Sequence, residues 1–156
     1  MLDDLPRSTL QRRLRMKRPK RILVGLKTLD SAGGLVDLAC RLGARGASLR
    51  LVHVIELPDI TPLNAEVPEL DAAAAKIIAQ GKRAARRNKM KASAFVFRAH
   101  DSGSALLDEM TQNKIELAVL GYHHRHALGE IMLGTTARHL AHRASCHIVL
   151  AIPPRR

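Results

Sequence analysis

A chain of 156 residues fits one domain with room for a real core, and its aromatic share of 2% leaves Leu, Ile, Val and Ala to fill that core. With no Trp, one Tyr (Tyr122) and two Phe (Phe95, Phe97), stacking platforms for nucleic-acid bases are expected to be scarce, and no apolar run approaches the roughly 20 residues that span a bilayer. The formal charge of +12 favours anionic partners without choosing among nucleic acid, anionic lipid and acidic protein.

Residues 1–20 read as a basic extension. Residues 1–21 carry eight Lys and Arg against Asp3 and Asp4. Ser8 with Gln11 has capping-box spacing and Leu10 with Leu14 shares a helical face, so the arm is either a short helix or a solvated, disordered segment. Ile22 to Leu26 is apolar throughout, as a strand covered on both faces should be. Thr28 to Gly34 reads as a turn, with Asp30 or Ser31 capping a helix that runs through Leu35 and Leu38 to Leu42. Gly43 and Gly46 stop it. Cys40 and Cys146, without paired spacing or a secretory leader, fit a reducing cytoplasm.

Leu49 to Ile55 is the second strand, and Leu57 to Pro68 is a long, proline-rich connection. Pro68 to about Asn88 is the longest helix. Its basic end, Lys82 to Lys91, complements the helix dipole. Ser93 to Arg98 is strand three, and His100 to Gly103 turns into a helix from Ser104 to about Asn113. Ser102 and Ser104 beside His100 and Asp101 hold the groups of a catalytic triad, but neighbours in one turn cannot reach triad geometry, and a helix cap is the stronger reading. Leu117 to Gly121 is strand four, the segment to Leu133 a loop, Gly134-Thr135 a helix opening, and Ile148 to Ile152 strand five, ended by Pro153 and Pro154.

Alternating strands and helices argue for a parallel sheet with helices on both faces. Glycine ahead of a helix N-terminus lets unpaired backbone N–H groups approach an anion, which makes residues 121–136 the candidate binding loop. A metal site from His123, His124 and His126, or from His139 with His142, lacks an evident completing ligand. His53 and His147 fall on strands and read as packed or hydrogen-bonded residues.

The run Gly121-(two residues)-His124-(nine residues)-Gly134-Thr135, followed by an apolar strand and proline, resembles the C-terminal motif of the universal stress protein family, with His124 in place of its second glycine. Arg21 to Val24 followed by Asp30, and Leu51 to Val54, resemble the family's first two strands, so the likeness covers roughly residues 20–154. It implies an open five-stranded parallel sheet of order 3-2-1-4-5, Rossmann-like and similar to the adenine nucleotide alpha hydrolases, over residues 21–154. It also implies ATP or another adenine nucleotide as ligand. The ligand would lie at the carboxyl ends of strands one and four, where the chain reverses direction. Carried over by position, the phosphates would meet Gly121, His124, Gly134, Thr135 and Thr136, and the base would lie near Val54. Lys27 stands where binding members carry an acidic residue, and Lys only donates hydrogen bonds. With His123, His124, Arg125 and His126, Lys27 makes the crevice cationic, so phosphate binding survives better than adenosine recognition.

Family members that dimerise through strand five imply a homodimer that covers Ile148, Val149, Leu150 and Ile152, an edge too apolar to leave open. The resulting expectation is a cytoplasmic, dimeric regulatory module of the stress response without catalysis of its own. The alternative is a family member without nucleotide that serves as an interaction scaffold, its basic tail docking on an acidic protein, anionic lipid or nucleic acid. The stretch Pro58 to Leu63 further resembles domains appended to transporters.

Overall fold

A computed structural model of the chain describes residues 17–122 and 134–153. Five parallel strands form one sheet in the order β3-β2-β1-β4-β5, the order the resemblance implied. The strands are β1 (Arg21–Gly25), β2 (Ser48–Glu56), β3 (Lys91–Ala99), β4 (Leu117–Gly121) and β5 (His147–Ala151). The helices between them are α1 (Leu29–Leu42), α2 (Pro68–Arg87), α3 (Ser102–Gln112) and α4 (Thr135–Arg143).

The two central strands explain their own composition. Ile22 and Val24 of β1 pack with Leu117 and Val119 of β4 against Ala32, Val36 and Ile77 of α1 and α2. The intervening Leu23, with Ala118 and Leu120, packs against Leu106, Met110 and Leu140 of α3 and α4. Alternate residues thus enter opposite cores, so the covered positions of both strands, Ile22 to Val24 and Leu117 to Leu120, are all apolar. Each fully buried Leu or Ile contributes about 1.5–3 kcal/mol over its exposed state.

The start of β1 is knit to both neighbours. Glu116, just ahead of β4, accepts from the backbone N–H of Lys20 at 2.6 Å and of Arg21 at 2.9 Å, and its other oxygen lies 3.3 Å from the Arg21 guanidinium. These backbone donors, first that of Arg21 and then that of Lys20, hold the Glu116 carboxyl below its ordinary range. On the other side, Ser48 N–H donates to the Lys20 carbonyl at 2.8 Å.

The turn before α1 departs from its expected form. Helix starts at Leu29, with Thr28 as N-cap, and no side chain caps its backbone; Ser31 instead shares a 2.8 Å hydroxyl contact with Thr28. Asp30 and Ser31 therefore lie in the first turn, and Gly33 and Gly34 inside the helix. Gly33 is tolerated because α1 crosses α2 there: a Cβ on it would come 3.3 Å from Gln80 Nε2. Gly43 caps the C-terminus as expected, and Gly46 supplies the left-handed backbone (φ 76°) of the following turn.

Both α2 and α3 end at the amino edge of the sheet in the same way. After cap residues Asn88 and Asn113, Lys89 (φ 53°) and Lys114 (φ 48°) take the left-handed conformation. The residue after each returns its N–H to the helix, Met90 to Ala85 at 3.0 Å and Ile115 to Met110 at 2.9 Å. That is a Schellman ending with lysine where glycine is usual.

The outer edges differ. β3 is nine residues long, and Val96 on it is 43% exposed. Phe95 and Phe97 stack on one of its faces with ring centroids 6.0 Å apart. β5 is five residues long and half-buried over Ile148 to Ala151, with Ile152 beyond it 44% exposed. No described helix is long and apolar enough to cross a membrane.

Candidate functional site

The chain reverses direction between β1 and β4, which lie side by side with Gly25 opposite Leu120. The backbone crowds where they meet, since a Cβ on Gly25 would come 2.6 Å from Leu120 Cδ2. Beyond Gly25 the chain bends over β2: Leu26 N–H donates to the Val52 carbonyl at 2.8 Å, and buried His53 donates from Nδ1 to the Leu26 carbonyl at 2.7 Å. A carbonyl can only accept, so this contact fixes the His53 tautomer and uses His53 as a latch for the β1 exit. Lys27, next in the chain, is exposed.

Four helices begin at this edge, because each returns the chain to the amino end of the next parallel strand. Their N-termini are furnished differently. The first turn of α3 is filled by carboxylates. Asp101 accepts from Gly103 N–H at 3.3 Å and Ser104 N–H at 3.0 Å, and Glu56 accepts from Ser102 N–H at 3.0 Å. The hydroxyls of Ser104 and Ser102 donate to the same two carboxylates, and the Ser104 contact is the main cause of a lowered Asp101 carboxyl. The caps of α1 (Thr28), α2 (Val67) and α4 (Gly134) make no side-chain hydrogen bond to the helix. Of these helices, α1 and α4 follow β1 and β4. Both N-termini that flank the point where the chain reverses are therefore uncapped and carry their partial positive charge, whereas that of α3, farther along the edge, is occupied.

Of the residues expected to form a binding site, Lys27 follows β1, Val54 is half-buried near the end of β2, Gly121 closes β4, and Gly134, Thr135 and Thr136 open α4. All six lie along the carboxyl edge. Gly134 and Thr135 are exposed and Thr136 is half-buried. Gly134 has an extended backbone (φ −60°, ψ 162°), and nothing lies within 4 Å of where its Cβ would be. Gly121 is needed for packing, since a Cβ there would come 3.2 Å from Leu35 Cδ1. His124 lies outside the described residues, as do His123, Arg125, His126 and residues 1–16.

The groups of a catalytic triad are committed elsewhere. His100 donates from Nδ1 to the Leu57 carbonyl at 3.2 Å, and among the described residues no hydrogen bond joins it to Ser102 or Ser104. His139 of α4 packs where α3 comes closest: a Cβ on Gly103 would lie 3.1 Å from its Cβ, and its Nε2 is buried without a partner. Among the described residues no group of three or more His, Cys, Asp or Glu could hold a metal ion. The Asp101 cap was legible from its turn; the Glu56 contribution, 46 residues away in sequence, had no local signal.

Among solved structures, the universal stress protein from Archaeoglobus fulgidus in complex with dAMP is 17% identical, with a TM-score of 0.64 over 86% of this chain and 98% of that one. A universal stress protein in complex with cAMP is 17% identical, with a TM-score of 0.66 over 87% and 98%. A universal stress protein family protein from Arabidopsis thaliana with AMP bound is 12% identical, with a TM-score of 0.61 over 87% and 93%. At those identities the likeness shows the fold. No curated protein matches the chain. The family model for universal stress proteins matches residues 19–152, nearly the whole chain, and agrees with the strand order and the spacing of Gly121, Gly134 and Thr135: the chain belongs to the universal stress protein family.

Proposed function

We propose that the protein is a dimeric regulatory module that binds an adenine nucleotide across the carboxyl ends of β1 and β4 and performs no chemistry on it. The observation that carries this reading is that both helix N-termini flanking the chain reversal, those of α1 and α4, are free of side-chain caps and stand beside the adjacent carboxyl ends of β1 and β4. The complexes of three fold relatives with dAMP, cAMP and AMP support adenine as the base. In this reading Gly121, His124, Gly134, Thr135 and Thr136 hold phosphate, Val54 lies near the base, and Lys27 adds a cation where a carboxylate would have accepted from the nucleoside. Affinity then comes mainly from phosphates. Regulation would follow from different affinities of the ligand for two states or partners.

In the same reading residues 1–20 lie outside a domain of residues 21–154, and two copies pair through β5. The half-buried Ile148, Val149 and Leu150 and the exposed Ile152 support that pairing. The free thiols of Cys40 and Cys146, both pushed up by burial, suit a reducing cytoplasm.

Calorimetric titration of ATP, AMP and adenosine tests the proposal. ATP should bind saturably and adenosine far more weakly, and Lys27→Asp should lower ATP affinity about tenfold, the loss of one charge-assisted contact. If wild type is indifferent to all three while a Lys27→Asp, His124→Gly double variant binds, the site has been switched off and the chain is a scaffold.

A further inference from the structure

The amino ends of the strands, opposite the nucleotide crevice, form a surface that neither the core nor the crevice explains. Two adjoining grooves of about 420 and 550 Å³ run along it and share Arg21 and Ile115. Their walls carry six basic side chains, Lys17, Arg18, Arg21, Arg50, Lys91 and Lys114, and one carboxylate, Glu116. Glu116 pairs with Arg21, and Glu109 pairs with Arg50; Lys17, Lys91 and Lys114 have no carboxylate partner among the described residues.

Backbone conformation singles out the same edge independently. Lys89 and Lys114, the chain's described non-glycine residues with positive φ, both sit there, at positions where glycine adopts the left-handed form without steric cost. Complementing a helix dipole is a weak reason for Lys89, because Arg86 and Arg87 already supply cations to the last turn of α2. Strain kept at Lys89, where the dipole is already served, points to use of the charge; Lys114 also supplies the cation that the last turn of α3 lacks.

The shape selects the partner. Neighbouring strands lie about 4.8 Å apart, so the cations at the starts of β3, β1 and β4 form a row along the sheet edge, which suits a chain of phosphates better than a single headgroup. Strand alternation puts Lys91, Ser93, Phe95 and Phe97 on one face of β3, and Arg50 confirms it by lying 3.7 Å from the centre of the Phe95 ring. Phe95 is half-buried under Arg50 of the groove wall, and Phe97 beyond it packs against the core on that face. We propose that this edge binds single-stranded nucleic acid, with phosphodiesters along the row of Lys and Arg side chains and a base against the Arg50 guanidinium where it lies over the Phe95 ring. The proposal does not depend on nucleotide binding at the carboxyl edge.

Fluorescence anisotropy of a labelled oligothymidylate of about 20 nucleotides with the full chain, over a range of salt, tests it. Saturable binding that weakens with salt is expected. In a Lys89→Gly, Lys114→Gly variant, affinity should fall about tenfold and the log–log salt slope should shrink by about 1.4, two contacts at about 0.7 each. The melting temperature of that variant should rise, because glycine relieves the left-handed strain, so misfolding cannot account for the loss. Phe95→Leu should weaken binding and leave the salt slope unchanged. The proposal is overturned if the oligonucleotide does not bind, if the glycine variant binds it as tightly as wild type, or if replacing Arg7, Arg12, Arg13 and Arg15 by Ser abolishes binding that the glycine variant retains. It is equally overturned if duplex of the same length binds as well, or if only vesicles containing anionic lipid bind.

Discussion

Glu116 does more than its exposure suggests. A surface ion pair with Arg21 alone would contribute little, because solvent screens it. The two backbone N–H groups it accepts from are a different matter: without Glu116, the donors of Lys20 and Arg21 lose a charged acceptor. Its carboxyl is depressed in the folded protein, so its contribution is present above the ordinary glutamate pKa and is lost as pH falls through the depressed value. Glu116→Gln should therefore cost about 1 kcal/mol near neutral pH and almost nothing in acid, read as the difference between denaturant midpoints at the two pH values. Asp101 follows the same sign at the start of α3. Neither partnership of Glu116 was legible in sequence, because residues 95 and 96 positions apart share no local pattern. The Asp101 cap was legible because donor and acceptor are two and three residues apart.

At the scale of elements, glycine separates what pattern can and cannot reveal. Gly33 and Gly34 resemble a turn, and only the crossing of α1 over α2 shows why one of them belongs in a helix. Gly34 is exposed and helical, and nothing lies within 4 Å of where a Cβ would stand, so Gly34→Ala should stabilise by about 1 kcal/mol through helix propensity. Gly81 is buried in α2, and a Cβ there would come 2.7 Å from Leu26 Cδ1 and 3.2 Å from Leu51 Cδ1. Gly81→Ala gains the same propensity but drives a methyl into packed core, for a net loss of about 1 kcal/mol. Thermal denaturation of the two variants should move in opposite directions. Strand boundaries from sequence miss by a residue or two, since β1, β2, β3 and β5 each begin earlier than their apolar runs. Their first residues, Arg21, Ser48, Lys91 and His147, are polar and exposed, and only backbone pairing marks them as strand.

For the whole molecule, the order of elements and the strand order were legible because covered parallel strands leave an apolar signature and the 121–135 spacing carries the family resemblance. The carboxyl-edge positions of Lys27, Val54, Gly121, Gly134, Thr135 and Thr136 followed from that order. The amino edge was not legible, because its cations come from separate segments and meet only through topology. A β5-paired dimer predicts that Ile152→Glu, which places a charge on the exposed residue beyond the strand, yields monomer in sedimentation equilibrium without lowering the melting temperature of the monomer fold.

The long, open β3 edge bears on how assembly stops. Joining β5 to its own copy about a two-fold axis ends after two chains, whereas joining β5 to β3 of the next molecule would add subunits without closure. Lys91 at the first position of β3 is exposed and places charge at the start of that edge, while Arg98 near its last position is tied to Asp71 and to the Ala65 carbonyl of the loop before α2. In the proposed β5-paired dimer, charge at the start of β3 would act as a terminator, making the second edge a poor acceptor and keeping a sheet with two open sides from growing into a filament.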